Sequence, residues 1–173
     1  MRTFIIATTT LITLALSFTS SAQTLSITSP AFNAGGSIPS KYTCDTPQAV
    51  NPALVFSGVP AKTQALVLIM DDPDVPKTLV PSGEFVHWLL WDIPATSKGI
   101  AEGEGKGGIN GMGRPGYMGP CPPDRSHRYF FKLYAVDTTI TGPIKNKAEL
   151  EKAMEGHIIQ RAELMGTYEK VKK

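Results

Sequence analysis

From Leu25 to Val136 the apolar residues come in short or alternating runs, and Pro, Gly, Asn and Asp separate one run from the next. That punctuation reads as strands joined by structured turns. The expected strands are Leu25–Thr28, Ala53–Ser57, Ala65–Asp71, Phe85–Asp92 and Arg128–Val136. The run from Ala65 to Met70 is apolar on both faces, which marks a central strand. Phe85–Asp92 is also mostly apolar, so His87 is expected inside a buried or half-buried strand.

Past Val136 the pattern changes. Asn146 with Glu149 three residues later resembles a capping box, and Ala148, Leu150 and Met154 follow at partly helical spacing. Gly156 interrupts. Ile158, Ile159, Ala162 and Leu164 then predict a second short amphipathic helix over 157–164, before Gly166, Thr167 and Tyr168 as an extended end. The expected fold is mainly β, a sandwich-like arrangement of antiparallel sheets with short C-terminal helices.

The chain starts with Met1, Arg2 and Thr3, continues uncharged from Phe4 to Phe18, and reaches Ser20, Ser21 and Ala22 before Gln23. This is the pattern of a cleaved secretory signal, with cleavage expected after Ala22. The apolar stretch is short and Thr-rich for a spanning helix, which needs about 20 apolar residues. Residues 23–173 are expected to form a single exported domain, periplasmic or secreted, with no stable membrane anchor. Only Arg2 leaves with the signal, so 17 basic against 15 acidic residues become 16 against 15. That balance gives no reason to expect nucleic acid as a partner.

Cys44 and Cys121 make an even pair, and an exported protein can join them. The competing reading is two thiols bordering a pocket, since each cysteine lies in a turn beside other candidate residues. Glu102–Met118 is Gly-rich without a hydrophobic period, which predicts a long loop. Its glycines lack the spacing of a phosphate-binding Walker loop.

Three proline-held polar segments carry the chemistry. Asp71, Asp72 and Asp74 crowd around Pro73 at a strand end. Phe85, Val86, His87 and Trp88 open the next strand, and Gly119–Pro123 precedes His127, Arg128 and Tyr129. Each element alone has a plain structural explanation: an Asp-capped turn, or a packed histidine. Together they form one set, because His127 and Tyr129 share a strand face and imidazole and phenol donors can hold a phosphate or carboxylate without a metal. Pro122 and Pro123 lack amide protons and would stiffen a pocket wall. A zinc site from His87, His127, Asp72 and Cys121 is the chemical rival, as is a Cys121–His127 nucleophilic pair, but no compact zinc or hydrolase signature accompanies them.

These motifs, with Ser29–Phe32, Tyr42–Asp45, Gly156–Ile158 and Ala162–Tyr168 in the same order, resemble the phosphatidylethanolamine-binding protein family, in particular its bacterial Raf-kinase-inhibitor-like branch. The resemblance implies antiparallel sheets with C-terminal helices and a small anion pocket. By motif position, Asp72 and His87 would form one side of that pocket, Pro122 and Pro123 its rim, and His127 and Tyr129 the other side. Asp72 would orient His87, since a bare carboxylate repels an anion. Val75 and Asp92 depart from the family's usual alanine and asparagine, and both are expected to bear on ligand choice. The expected function is non-catalytic binding of a phosphate-type anion or phosphorylated headgroup, without metal or cofactor, with inhibition or modulation of a protein partner as a narrower version. The alternative is a hydrolase using a metal or Cys121 in the same pocket.

Overall fold

The computed structural model describes residues 24–171 except Lys106; the expected signal, residues 1–22, lies outside them. Seven strands form two antiparallel sheets. Strands β1 (Ser26–Thr28), β2 (Leu54–Ser57) and β5 (Gly99–Ile100) make the smaller sheet, in the order β1-β2-β5. The larger sheet is ordered β4-β3-β6-β7, from β3 (Ala65–Asp72), β4 (Phe85–Pro94), β6 (His127–Val136) and β7 (Ile158–Tyr168). Every strand found by apolar patterning is present, with shifted ends.

All eight residues of β3 are buried, as expected of a central strand apolar on both faces. Period-two alternation divides them between two cores. Leu66, Leu68 and Met70 pack between the sheets with Ile27, Phe56, Trp88 and Phe131. Ala65, Val67 and Ile69 lie on the outer face with Leu89, Ile140, Leu150 and Met154. Leu150 and Met154 belong to the one α-helix among the described residues, α1 (Lys147–Met154). Asn146 caps it by accepting from the Glu149 amide at 2.9 Å, and the Glu149 carboxylate accepts from the Lys145 amide.

The expected second helix is instead β7, an eleven-residue strand paired along β6 from His127↔Tyr168 to Val136↔Ile158. Ala162, Leu164 and Tyr168 turn inward at alternate positions and Gln160 accepts from the Leu25 amide, which a helix could not arrange. Gly156, at φ 78°, reverses the chain between α1 and β7. In so short a segment, Ile158, Ile159, Ala162 and Leu164 fit either period, and the open hydrogen-bonding edge of β6 favours the strand.

The long Gly-rich loop is held down. Asn51 accepts from the Gly105 amide at 2.6 Å, the Trp88 indole donates to the Gly107 carbonyl at 3.0 Å, and Ile109 bonds Leu89 in both directions. At Gly108, φ is 72° and a Cβ would lie 1.8 Å from the Leu89 carbonyl oxygen, so only glycine lets this loop lie on β4.

Candidate functional site

The three polar segments converge at the end of the sandwich where β3 stops and β4 and β6 start. Asp72, last residue of β3, continues the inward row of Leu66, Leu68 and Met70. Its Oδ1 accepts from the Asp74 amide at 2.8 Å, the short turn expected of Asp-Pro-Asp. Asp74 then anchors the turn to β6, accepting from the Arg128 guanidinium at 2.8 and 2.7 Å and from the Arg128 amide at 3.0 Å. The guanidinium holds the Asp74 carboxyl down at about 2.

His87 owes its direction to an irregularity in pairing. Asp71 faces Val86 and Met70 faces Trp88, so one step on β3 spans two on β4 and His87 is the extra residue. Such a bulge re-aims a side chain at the cost of one ladder position. His87 therefore lines the same cavity as Phe85 and Asp72, while Trp88 still enters the core. Nδ1 of His87 donates to the Met118 carbonyl at 2.8 Å, and its ring meets the edges of Phe85 at 4.9 Å and Tyr129 at 5.2 Å between centroids. Burial lowers its pKa, with the Met118 hydrogen bond and Asp72 acting in the opposite sense.

His127 has the contrary environment. Nδ1 lies 2.7 Å from Asp72 Oδ2 and Nε2 lies 2.8 Å from Asp124 Oδ1. Burial opposes a charge on this ring, but the two carboxylates outweigh it and raise the pKa. Two carboxylate acceptors match an imidazolium with both nitrogens donating.

An open cavity of about 620 Å³ lies over His87 and Asp72. Val75, Leu79, Val80, Phe85 and Met118 supply apolar walls, and Cys44, Pro47, Cys121 and Pro123 close the far side. Cys44 and Cys121 are joined as a disulfide with Cα atoms 5.3 Å apart, which selects the bonded reading over the two-thiol one. Within the same corner, the Cys44 amide donates to the Pro120 carbonyl and the Tyr117 hydroxyl donates to the Tyr42 carbonyl at 2.9 Å. Gly119 allows this approach: a Cβ there would sit 2.6 Å from the Tyr42 carbonyl oxygen.

Asp72, His87 and Pro123 thus line one cavity. Four placements differ from the sequence expectation. Asp72 orients His127, and the Met118 carbonyl, not Asp72, sets the ring of His87. His127 and Tyr129 stand behind the cavity and not on its wall: His127 has both nitrogens occupied, and Tyr129 is fully buried with its hydroxyl unpartnered. Pro122 borders a neighbouring cleft of about 450 Å³, which Pro123, Asp124, Arg125 and Lys170 share. Asp92 is also remote, at the opposite end of β4; its φ of 54° suits Asp or Asn, and its carboxylate accepts from the Ile140 amide. Val75 does line the cavity. Sequence reading missed Asp124, Tyr117 and the Met118 carbonyl. Of these only Asp124 left a trace, as an acid three residues ahead of His127.

The sequence pattern described as phosphatidylethanolamine-binding protein matches residues 28–169. The chain belongs to the phosphatidylethanolamine-binding protein family. A UPF0098 protein of Chlamydia pneumoniae is 45% identical over 150 residues, covering 84% of this chain and 99% of that one. Among solved structures, the phosphatidylethanolamine-binding protein homologue CT736 of Chlamydia trachomatis superposes with a TM-score of 0.81 at 42% identity, covering 86% of this chain and 99% of its own. YbcL of E. coli, described as a member of the mammalian family, gives 0.75 at 26% identity over 85% and 99%. The likeness to these two structures covers most of the chain and shows the same fold.

Proposed function

We propose that this member of the family binds a small anion, a phosphate or phosphorylated headgroup, in the cavity over His87 without turning it over. The observation that carries this reading is the setting of His87. A strand bulge projects the ring into an open cavity, Nδ1 is fixed by Met118, and Nε2 has no protein partner. A polar atom with one nitrogen locked and the other presented to open space is a preorganised ligand contact. The apolar walls suit the organic part of such a ligand, and the family's name points to a phosphorylated headgroup.

The rival hydrolase reading draws on a metal or on Cys121, and its Cys121 version would need a thiolate, which the disulfide does not supply. Among the described residues no group of three His, Cys, Asp or Glu side chains is placed to hold a metal ion. Export fits the same picture: residues 1–22 have a secretory pattern, and a disulfide persists in an oxidising compartment. Modulation of a protein partner would be a use of the occupied or empty cavity.

Calorimetric titration with inorganic phosphate and with O-phosphoethanolamine, beside a His87→Ala variant, tests the site. Saturable binding that the variant loses is the expected result. Absence of binding to either anion, or binding undiminished in the variant, overturns it. Release of inorganic phosphate from O-phosphoethanolamine by the wild-type protein would overturn the non-catalytic part alone.

A further inference from the structure

An anion entering this cavity meets no fixed positive charge. Among the described residues lining it there is no Lys or Arg, and its one acid is Asp72. The nearby imidazolium of His127 lies between two carboxylates, Asp72 and Asp124, and so cannot turn a donor to a ligand. The Thr46 and Tyr117 hydroxyls of the lining already donate to the Ser40 and Tyr42 carbonyls, and Nε2 of His87 is a side-chain nitrogen on the cavity that no hydrogen bond to protein occupies.

The state of that atom follows from the other side of the ring. A carbonyl oxygen only accepts, so the Met118 bond fixes a proton on Nδ1. In the neutral ring Nε2 is then a bare acceptor. A fully deprotonated phosphomonoester also offers only acceptors, and two lone pairs facing each other repel. One proton between them turns the repulsion into a charge-assisted hydrogen bond. Resting on the anion-site reading above, we propose that the cavity takes up its anion together with one proton, held between Nε2 of His87 and a ligand oxygen. Its preferred occupant is therefore a phosphomonoester in the monoanionic form, or the fully ionised ester with the imidazolium. The two descriptions place one proton in one hydrogen bond.

The surroundings of His87 agree on which state is free and which is bound. From β3, Asp72 and more distantly Asp71 favour a proton on the ring; from β6, the charge on His127 opposes it, and Tyr129 packs on its face. Phe85 of the same strand and the 117–119 segment add apolar cover and the Met118 carbonyl. Burial favours the neutral form of the ring. A ligand oxygen carrying negative charge reverses the balance at the moment it arrives.

The test is calorimetry of O-phosphoethanolamine binding at pH 7.5 in buffers of different ionisation enthalpy. Phosphomonoesters lose their second proton near pH 6, so the free ligand is then mostly dianionic. The observed enthalpy should rise with buffer enthalpy with a slope near one proton taken up per site, and affinity should fall about tenfold per pH unit above 7. Binding with zero slope and a flat pH profile overturns the proposal and leaves the anion site standing; no binding between pH 6 and 8 overturns both. His87→Gln keeps a neutral side chain with its own N–H donor, and it should bind without proton uptake; an uptake of one in this variant moves the proton elsewhere and overturns the assignment. Should the variant not fold, the nitrogen shifts of His87 in the wild type decide. Nε2 should move from an unprotonated to a hydrogen-bonded, protonated value on adding the ligand, and no movement overturns the proposal.

Discussion

Asp71 and Asp72 are adjacent and both buried, and the pleat of β3 sends them to opposite faces of the same sheet. Asp71 faces outward under α1, where Lys132 and Lys147 each donate to it at 2.7 Å and Lys147 also reaches Glu84. Asp72 faces the sandwich, where its partners are the His127 ring and the Asp74 amide. On the outer face, long cations tie a helix to a sheet, and although burial opposes its charge, the Asp71 and Glu84 carboxylates outweigh that and push Lys147 well above its ordinary value. On the inner face the partners are short and rigid, the Asp72 and Asp124 carboxylates raise the pKa of the His127 ring against the opposing effect of burial, and an open cavity adjoins them. One face attaches a helix, and the other borders the cavity in which the anion site is proposed.

The largest test of that contrast concerns the disulfide, which belongs wholly to the cavity side. Cys44 and Cys121 are 77 residues apart, and on the chain-entropy account their cross-link stabilises the fold by about 4 kcal/mol. The Cys44→Ala/Cys121→Ala variant should lose about that much in denaturant unfolding and should also bind anions more weakly. Unchanged affinity would show that the cavity wall holds its shape without the bond.

Next in size is Asp71→Asn, which leaves two lysines facing a neutral group. We expect a loss of about 3 kcal/mol, the scale for removing one partner of a buried pair, with anion affinity unaltered. A matching fall in affinity would erase the distinction between the two faces.

Asp72→Asn should cost about 2 kcal/mol, the range for a hydrogen bond to a charged group, and it should change the pH profile. In the wild type, His127 has a raised pKa in the folded state. Its contribution is fully present below about pH 6.5, the unfolded value, and is lost as pH rises through the folded one. The variant should flatten that decline, and the His127 ring signals should titrate at lower pH. A profile identical to the wild type would mean that Asp124 alone holds the charge.

Arg128→Gln is the mildest change. Without the guanidinium, the Asp74 carboxyl should rise from about 2 toward its ordinary value, which carbon NMR of the carboxyl follows directly. Because a depressed acid stabilises above its unfolded pKa, the wild type keeps this contribution above about pH 4 and loses it as pH falls toward 2. The variant should lack that acid-limb change while anion binding at neutral pH stays intact.

Much of the cavity side could be read in the chain because it rests on local rules. Pro73 between two aspartates dictates a turn, the apolar runs of β3 and β4 dictate buried strands, and His127 and Tyr129 two apart dictate a shared face. Errors came where one residue depends on a distant neighbour. Residues 158–164 could be helix or strand until the edge of β6 was available to pair with them. The direction of His87 depends on a bulge, whose register is a property of two strands together.

What the chain determined alone is therefore the inventory: a β fold, its central strand, the capped helix at Asn146, and the set of acids and imidazoles gathered at one end. Folding determined the pairing, namely which carboxylate meets which histidine, that Cys44 reaches Cys121, and that carboxylates favour the charge on one imidazole while burial opposes it on the other. The physical reason is range. Turn geometry and side-chain period act over a few residues, whereas burial and hydrogen bonding across strands set a histidine's charge through partners as far away as the 55 positions between Asp72 and His127.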